Sequence, residues 1–200
     1  MLTQKKNTKS IILKTAADEI YRNGYESTSL SDLIAKTNLS KGAFYHYFKS
    51  KQQLCLELID LYAQKEIEKE WLNRFNTPLN TINVLLKSIE NKIQLYYQNG
   101  DYKYGSAINN LLNEQSSIDE KIRNKLINKF DIWVSETSRF IKQGQKSEYV
   151  KKGFEAKQIA QFFIQNAIAA LQVLKTSHNL EEATQYFKIL RKTARTFRAD

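Results

Sequence analysis

Apolar residues recur at spacings of three and four along almost the whole chain, the interval that lays one apolar stripe along an α-helix. One proline and six glycines in 200 residues leave little turn chemistry to interrupt that pattern. The chain is therefore predicted to be all-α. About nine helices are expected, near residues 8–23, 29–37, 40–47, 51–75, 78–98, 104–115, 118–144, 155–176 and 180–197. The first carries Ile12, Leu13, Ala16, Ala17 and Ile20 on one face, with Gly24 as its stop.

Helix starts announce themselves through side chains that accept the unpaired N–H groups of a first turn. Ser29 with Asp32, Ser50 with Gln53, Ser117 with Glu120 and Asn179 with Glu182 have capping-box or near-box spacing. Thr77-Pro78 reads as a cap followed by a first-turn proline, and Asn99-Gly100-Asp101 as a break. Asn38 stands where the second helix should end, in a place suited to the left-handed conformation that Asn tolerates. No flexible linker separates one part of the chain from another, and the helix starting at residue 51 is expected to run on rigidly to 75.

Only Asn38 and Leu39 join the second and third helices, which is helix-turn-helix spacing. In the third helix Ala43, Phe44 and Phe48 share a side and can meet Leu30, Leu33, Ile34 and Leu39 as core. Lys41, Gly42, Tyr45 and His46 are left on the outer side, flanked by Tyr47. A cationic and aromatic face of this kind suits a phosphate backbone. Lys41 and Lys51 supply charge, tyrosine hydroxyls donate to phosphate oxygens, and Gly42 permits close approach. The capped start of the fourth helix adds a positive dipole end beside Lys51. Ordinary amphipathic packing is the other reading of Tyr45 and Tyr47, and an incidental surface position that of His46.

The stretch "ILKTAADEIYRNGYESTSLSDLIAKTNLSKGAFYHYFKSKQQL", within residues 12–58, resembles the DNA-binding domain of TetR/AcrR transcriptional repressors. The glycine-tyrosine pair after the first helix, the TSLSDLIA entry, SKGAFYHYF and the SKQQL start of the fourth helix occur in family order. Thr37-Asn38-Leu39 departs from the more usual Ala-Gly-Val turn. The resemblance implies a third helix in the DNA major groove, with contacts from Thr28, Lys41, Tyr45, His46, Tyr47 and Lys51. The cap hydroxyls of Ser29 and Ser40 and the open backbone of Gly42 lie beside them. With no arginine in that helix, base discrimination falls to Lys41, Ala43, Thr and Ser hydroxyls or DNA shape.

Beyond residue 60 motifs are sparse, and the resemblance implies a helical domain that dimerises and binds a small effector. The expected division is residues 1–51 for DNA and 52–200 for effector binding and dimerisation. Phe162, Ala167, Ala170, Leu171, Leu174, Phe187, Leu190 and Ala194 are expected at a dimer interface built as a four-helix bundle. An internal helix pair is the alternative use of the same residues. Trp71, Phe75, Tyr96, Tyr97, Tyr104, Asn110, Glu114, Trp133, Phe163 and Asn166 are the candidates to line an effector cavity, or else belong to the core. Residues 100–111 resemble a segment of a TetR subgroup that often carries Cys where Ser106 stands, which argues against sensing through that thiol.

Charge sharpens the partner and chemistry excludes other classes. Lys and Arg number 31 against 21 Asp and Glu, a net charge of +10. Residues 1–51 carry nine of the basic side chains against four acidic ones, although a lysine-rich coding bias also feeds the excess. Cys55, the single cysteine, sits in an apolar run and reads as core. No apolar stretch reaches membrane-spanning length, nothing looks like an export signal, and a cytoplasmic location is expected. His46 and His178 are far apart and no Cys/His cluster exists, so neither metal nor cofactor is expected. An enzyme is disfavoured by the lack of a nucleophile–base pair or phosphate loop. The expected function is that of a homodimeric repressor on a palindromic operator, released by a small molecule. The alternative is a DNA-binding assembly protein whose helical body grips a protein partner.

Overall fold

The structure is a computed structural model that describes residues 2–76 and 80–199, with side chains from residue 8 onward. It is all-α: α1 spans Leu2–Asn23, α2 Leu30–Thr37, α3 Lys41–Tyr47, α4 Lys51–Ala63, α5 Thr81–Gln98, α6 Ala107–Gln115, α7 Glu120–Lys146, α8 Ala156–Ser177 and α9 Leu180–Thr193. The expected Thr77-Pro78 cap lies outside the described residues. Within them Asn80 caps α5, accepting the Ile82 N–H at 3.0 Å.

The local chemistry of the first helices follows the residues closely. Gly24 ends α1 at φ +90°, where any other residue would be strained. Ser29 and Asp32 form a reciprocal capping box at the start of α2, and Asn38 closes it at φ 54°. Ser40 and Ser50 cap α3 and α4, each accepting an N–H three residues on. One expected cap moves: α7 is opened by Asp119, which takes the Ile122 N–H at 3.0 Å, while Ser117 stays in the preceding turn.

The expected single helix over 51–75 is not one regular α-helix. After Ala63 the chain widens into a π-helical turn, Gln64–Lys69, and then tightens into a 3-10 turn, Leu72–Asn76. The Glu70 N–H reaches back five residues to the Lys65 carbonyl. An i→i−5 bond leaves no mark on apolar spacing, which is why the pattern reads through it.

The chain forms two compact units, Met1–Gln64 with Ala107–Ile127, and Lys65–Ser106 with Asn128–Asp200. In the first, α1 packs on α2 and α4, and α4 on α6. Ile12, Ala16, Ile20, Leu33, Phe44, Phe48, Leu54, Leu58, Ile108 and Leu111 are buried there. Cys55 joins them, and burial, the largest cause, pushes its thiol up to about 12.

In the second unit α5, α8 and α9 pack on one another, and Ala160, Ala167 and Ala170 are the small residues that let α8 approach closely. This packing consumes most of the residues expected at a dimer interface. Ala167, Ala170, Leu171, Leu174, Phe187, Leu190 and Ala194 are all buried within the single chain, and only Phe162 keeps partial exposure. The reason is that α8 is apolar over more than one face, so spacing could not say which face turns inward. The outward residues are Phe162, Ala169, Val173, Tyr186 and Ile189, the last 67% exposed. Tyr186 donates to Asn166 Oδ1 at 2.6 Å among them.

Candidate nucleic-acid interface

Phe44 and Phe48 are fully buried and anchor α3 and the residue after it, while Tyr45, stacked edge-on against Phe44 at 6.1 Å between centroids, is half-buried. Turning those two phenylalanines inward forces Lys41, Gly42 and His46 outward, and all three are exposed. His46 and Tyr47 pack edge to face at 5.1 Å. A Cβ placed on Gly42 would meet nothing within 4 Å, so the glycine is not required by packing inside the chain.

Of the nine residues expected at DNA, Ser29, Ser40, Lys41, Gly42 and His46 are exposed and Tyr45, Tyr47 and Lys51 partly so. Thr28 departs from this. It is 3% exposed and its hydroxyl donates to the Gly24 carbonyl at 2.8 Å, closing the α1–α2 turn. The motif position carried Thr28 into the expectation, but its hydroxyl is committed locally. Lys51 is held over the Tyr25 ring at 4.2 Å and lies 3.4 Å from the Glu26 carbonyl. Ser29 is similarly occupied: its hydroxyl and N–H hold the Asp32 carboxyl below its ordinary range.

The residues expected around an effector fall in both units. Trp71, Tyr96, Trp133 and Phe163 are buried in the second unit, and Phe75 stacks flat on Phe140 at 4.2 Å. Tyr97 is exposed against Tyr102, Tyr104 is half-buried, and Asn166 bonds to Tyr186. Asn110 and Glu114 belong to the first unit, where Glu114 accepts the N–H groups of Tyr25 and Glu26.

Tyr96 and Trp133 lie against a buried charge cluster. Lys92 Nζ lies 3.0 Å from Glu70 Oε2 and 3.7 Å from Glu66 Oε2, and Ser106 donates to Glu66 at 2.6 Å. The same ammonium is 5.5 Å from the Tyr96 ring and 5.7 Å from that of Trp133. Trp71 meets Trp133 edge-on at 5.6 Å and donates to Thr137. The Trp133 N–H and Glu70 Oε2 have no hydrogen-bond partner among the described residues. The Glu70 oxygen touches Lys92 as an ion pair but off hydrogen-bonding geometry. The two carboxyl groups and the ammonium are all buried, so each depends on its protein partners in place of water.

Residues 12–58, the stretch that builds the α3 face, match the family model for bacterial regulatory proteins of the TetR family. That segment belongs to the TetR family. The chain is 36% identical over 126 residues to an uncharacterized HTH-type transcriptional regulator in the lacX 3' region of Lactococcus lactis, covering 60% of this chain and 61% of that protein. It is 22% identical over 168 residues to the HTH-type transcriptional repressor DhaR of a Mycobacterium species, covering 84% and 82%. The chain thus spans about three-fifths of the Lactococcus relative. A crystal structure of a TetR transcriptional regulator from Chloroflexus aurantiacus superposes with a TM-score of 0.86 at 19% identity, over 99% of this chain and all of that one. That likeness speaks for a shared fold.

Sequence reasoning passed over Glu66, Glu70, Lys92 and Thr137, and considered Ser106 only as the place of an absent thiol. One signal for Lys92 was present: Leu85, Ile89, Lys92, Ile93 and Tyr96 share the three-and-four spacing, which places a lysine on a buried stripe. No group of His, Cys, Asp and Glu that could hold a metal ion occurs among the described residues, and no described helix is long and apolar enough to cross a membrane.

Proposed function

We propose that the chain is a transcriptional repressor that binds a palindromic operator as a homodimer and is released by a small-molecule effector. The observation that carries the reading is the outer face of α3, where Lys41, Gly42 and His46 are exposed and Tyr45 and Tyr47 partly so, inside a matched TetR-family domain. Phosphates would take Lys41, Lys51 and the tyrosine hydroxyls, with α3 in the major groove. Residues 1–51 would serve DNA, and 52–200 the effector and the second protomer. The similarity to DhaR, a transcriptional repressor, supports the direction of control.

Dimerisation follows from the DNA reading, because one helix-turn-helix spans few base pairs. The outward α8–α9 residues Phe162, Ala169, Val173 and Ile189 supply an apolar face for it. The effector would bind beside Trp71, Tyr96, Lys92 and Trp133. It would shift the population away from the DNA-competent state only by its difference in affinity for the two states. Such a protein acts in the cytoplasm and catalyses no reaction. Duplexes selected by the purified protein from a random pool test the whole reading. A two-fold symmetric consensus bound by a dimer is expected, and the absence of any selected sequence would overturn it.

A further inference from the structure

The turn between α1 and α2 is gripped from the end of α6. Glu114 Oε2 accepts the Tyr25 N–H at 2.9 Å and Oε1 accepts the Glu26 N–H at 3.1 Å, so one carboxylate holds two consecutive backbone donors. Gln115 adds a bond from its Nε2 to Glu26 Oε1 at 2.7 Å. A Cβ on Gly24 would come within 2.9 Å of Glu114 Oε1, so the glycine serves the carboxylate's seat as well as the turn. On the other side of the same two residues sits Lys51. Its ammonium lies over the Tyr25 ring at 4.2 Å and 3.4 Å from the Glu26 carbonyl. Tyr25 is itself buried, which fixes the ring as a platform.

We infer that Glu114 is a positioning residue for DNA binding: by fixing Tyr25 and Glu26 it sets the seat from which Lys51 reaches a phosphate. Glu114 lies 63 positions beyond Lys51 in the chain, and its two bonds go to the backbone of the turn between α1 and α2. A carboxylate is needed because two N–H groups converge on it. An amide in its place keeps one acceptor and turns an NH2 group against the second donor. Loss of the clasp frees the turn, and the ammonium then spends its time over a wider region than the phosphate occupies. The inference rests on the proposed DNA binding.

The test is a double-mutant cycle on the full-length chain, using a duplex selected by the wild type and read at several salt concentrations. Lys51→Ala is expected to weaken binding about tenfold and to make the log–log salt slope shallower by about 0.9, one phosphate contact. Glu114→Gln should weaken binding about fivefold and move the slope the same way. The double variant should be no weaker than Lys51→Ala alone, whereas Glu114→Gln combined with Lys41→Ala should multiply. A purely structural clasp would lower the melting temperature and the active fraction, leave the slope of the surviving protein unchanged, and multiply with Lys51→Ala. That result overturns the inference. Wild-type protein that selects no duplex refutes the DNA reading instead. If Glu114→Gln fails to fold by circular dichroism, Gln115→Leu, which removes only the bond to Glu26, is judged by the same slope criterion.

Discussion

The two units place their polar side chains in opposite ways. In the helix-turn-helix, the Ser29, Ser40 and Ser50 hydroxyls sit at helix starts and accept N–H groups the backbone leaves open, while Lys41 and His46 stand in solvent. In the second unit Glu66, Glu70 and Lys92 are buried among Trp71, Tyr96 and Trp133. The difference separates two uses of polarity. Exposed groups keep their hydration until a partner replaces it, so they cost little and face outward for binding. Buried ones have already lost their water and depend on one another, so removing one strands the rest.

The sharpest break of that contrast is Lys92→Ala. It removes the buried ammonium that pairs with Glu70 and Glu66 and should destabilise the second unit by about 3 to 5 kcal/mol, read by urea unfolding. A loss under about 1 kcal/mol would show that the cluster is not dry. The same truncation at exposed Lys41 should change stability by no more than about 0.5 kcal/mol. Ser29→Ala removes the α2 cap and should cost about 1 kcal/mol, confined to the first unit. Gly42→Ala should do the reverse, adding up to about 1 kcal/mol because a Cβ there meets nothing, while weakening DNA binding if the backbone approaches phosphate closely. Unchanged DNA affinity would remove the close-approach role of Gly42.

A smaller effect is expected from acid. The Asp32 carboxyl is held below its ordinary range by the Ser29 hydroxyl and N–H. Its contribution is therefore present above the unfolded-state value and lost as pH falls through the folded one. Wild-type stability relative to Asp32→Asn should fall only below the ordinary carboxylate range. Buried Cys55, its thiol raised to about 12, should resist thiol reagents at neutral pH until the chain unfolds.

Legibility in the sequence follows the same division. The caps of α2, α3 and α4, the Asn38 turn and the inward pair Phe44 and Phe48 depend on neighbours a few residues away, and local spacing is enough to find them. The buried face of α8, the clasp of Glu114 and the partners of Lys92 depend on residues tens of positions distant, which no local pattern encodes. Thr28 shows the limit of a motif match: its position agrees with the family, but its hydroxyl is spent on Gly24. The π-helical turn after Ala63 was invisible for another reason, since one extra residue in a turn scarcely alters the apolar rhythm.

The most direct test of the account is the salt dependence of duplex binding by Lys41→Ala/Tyr45→Phe, which removes an ammonium and a hydroxyl from the outer face of α3. Affinity for the selected duplex should fall by about two orders of magnitude, and the log–log slope should become shallower by about 0.9 as one cationic phosphate contact is lost. Binding with the wild-type affinity and the wild-type slope would mean that this face does not meet DNA.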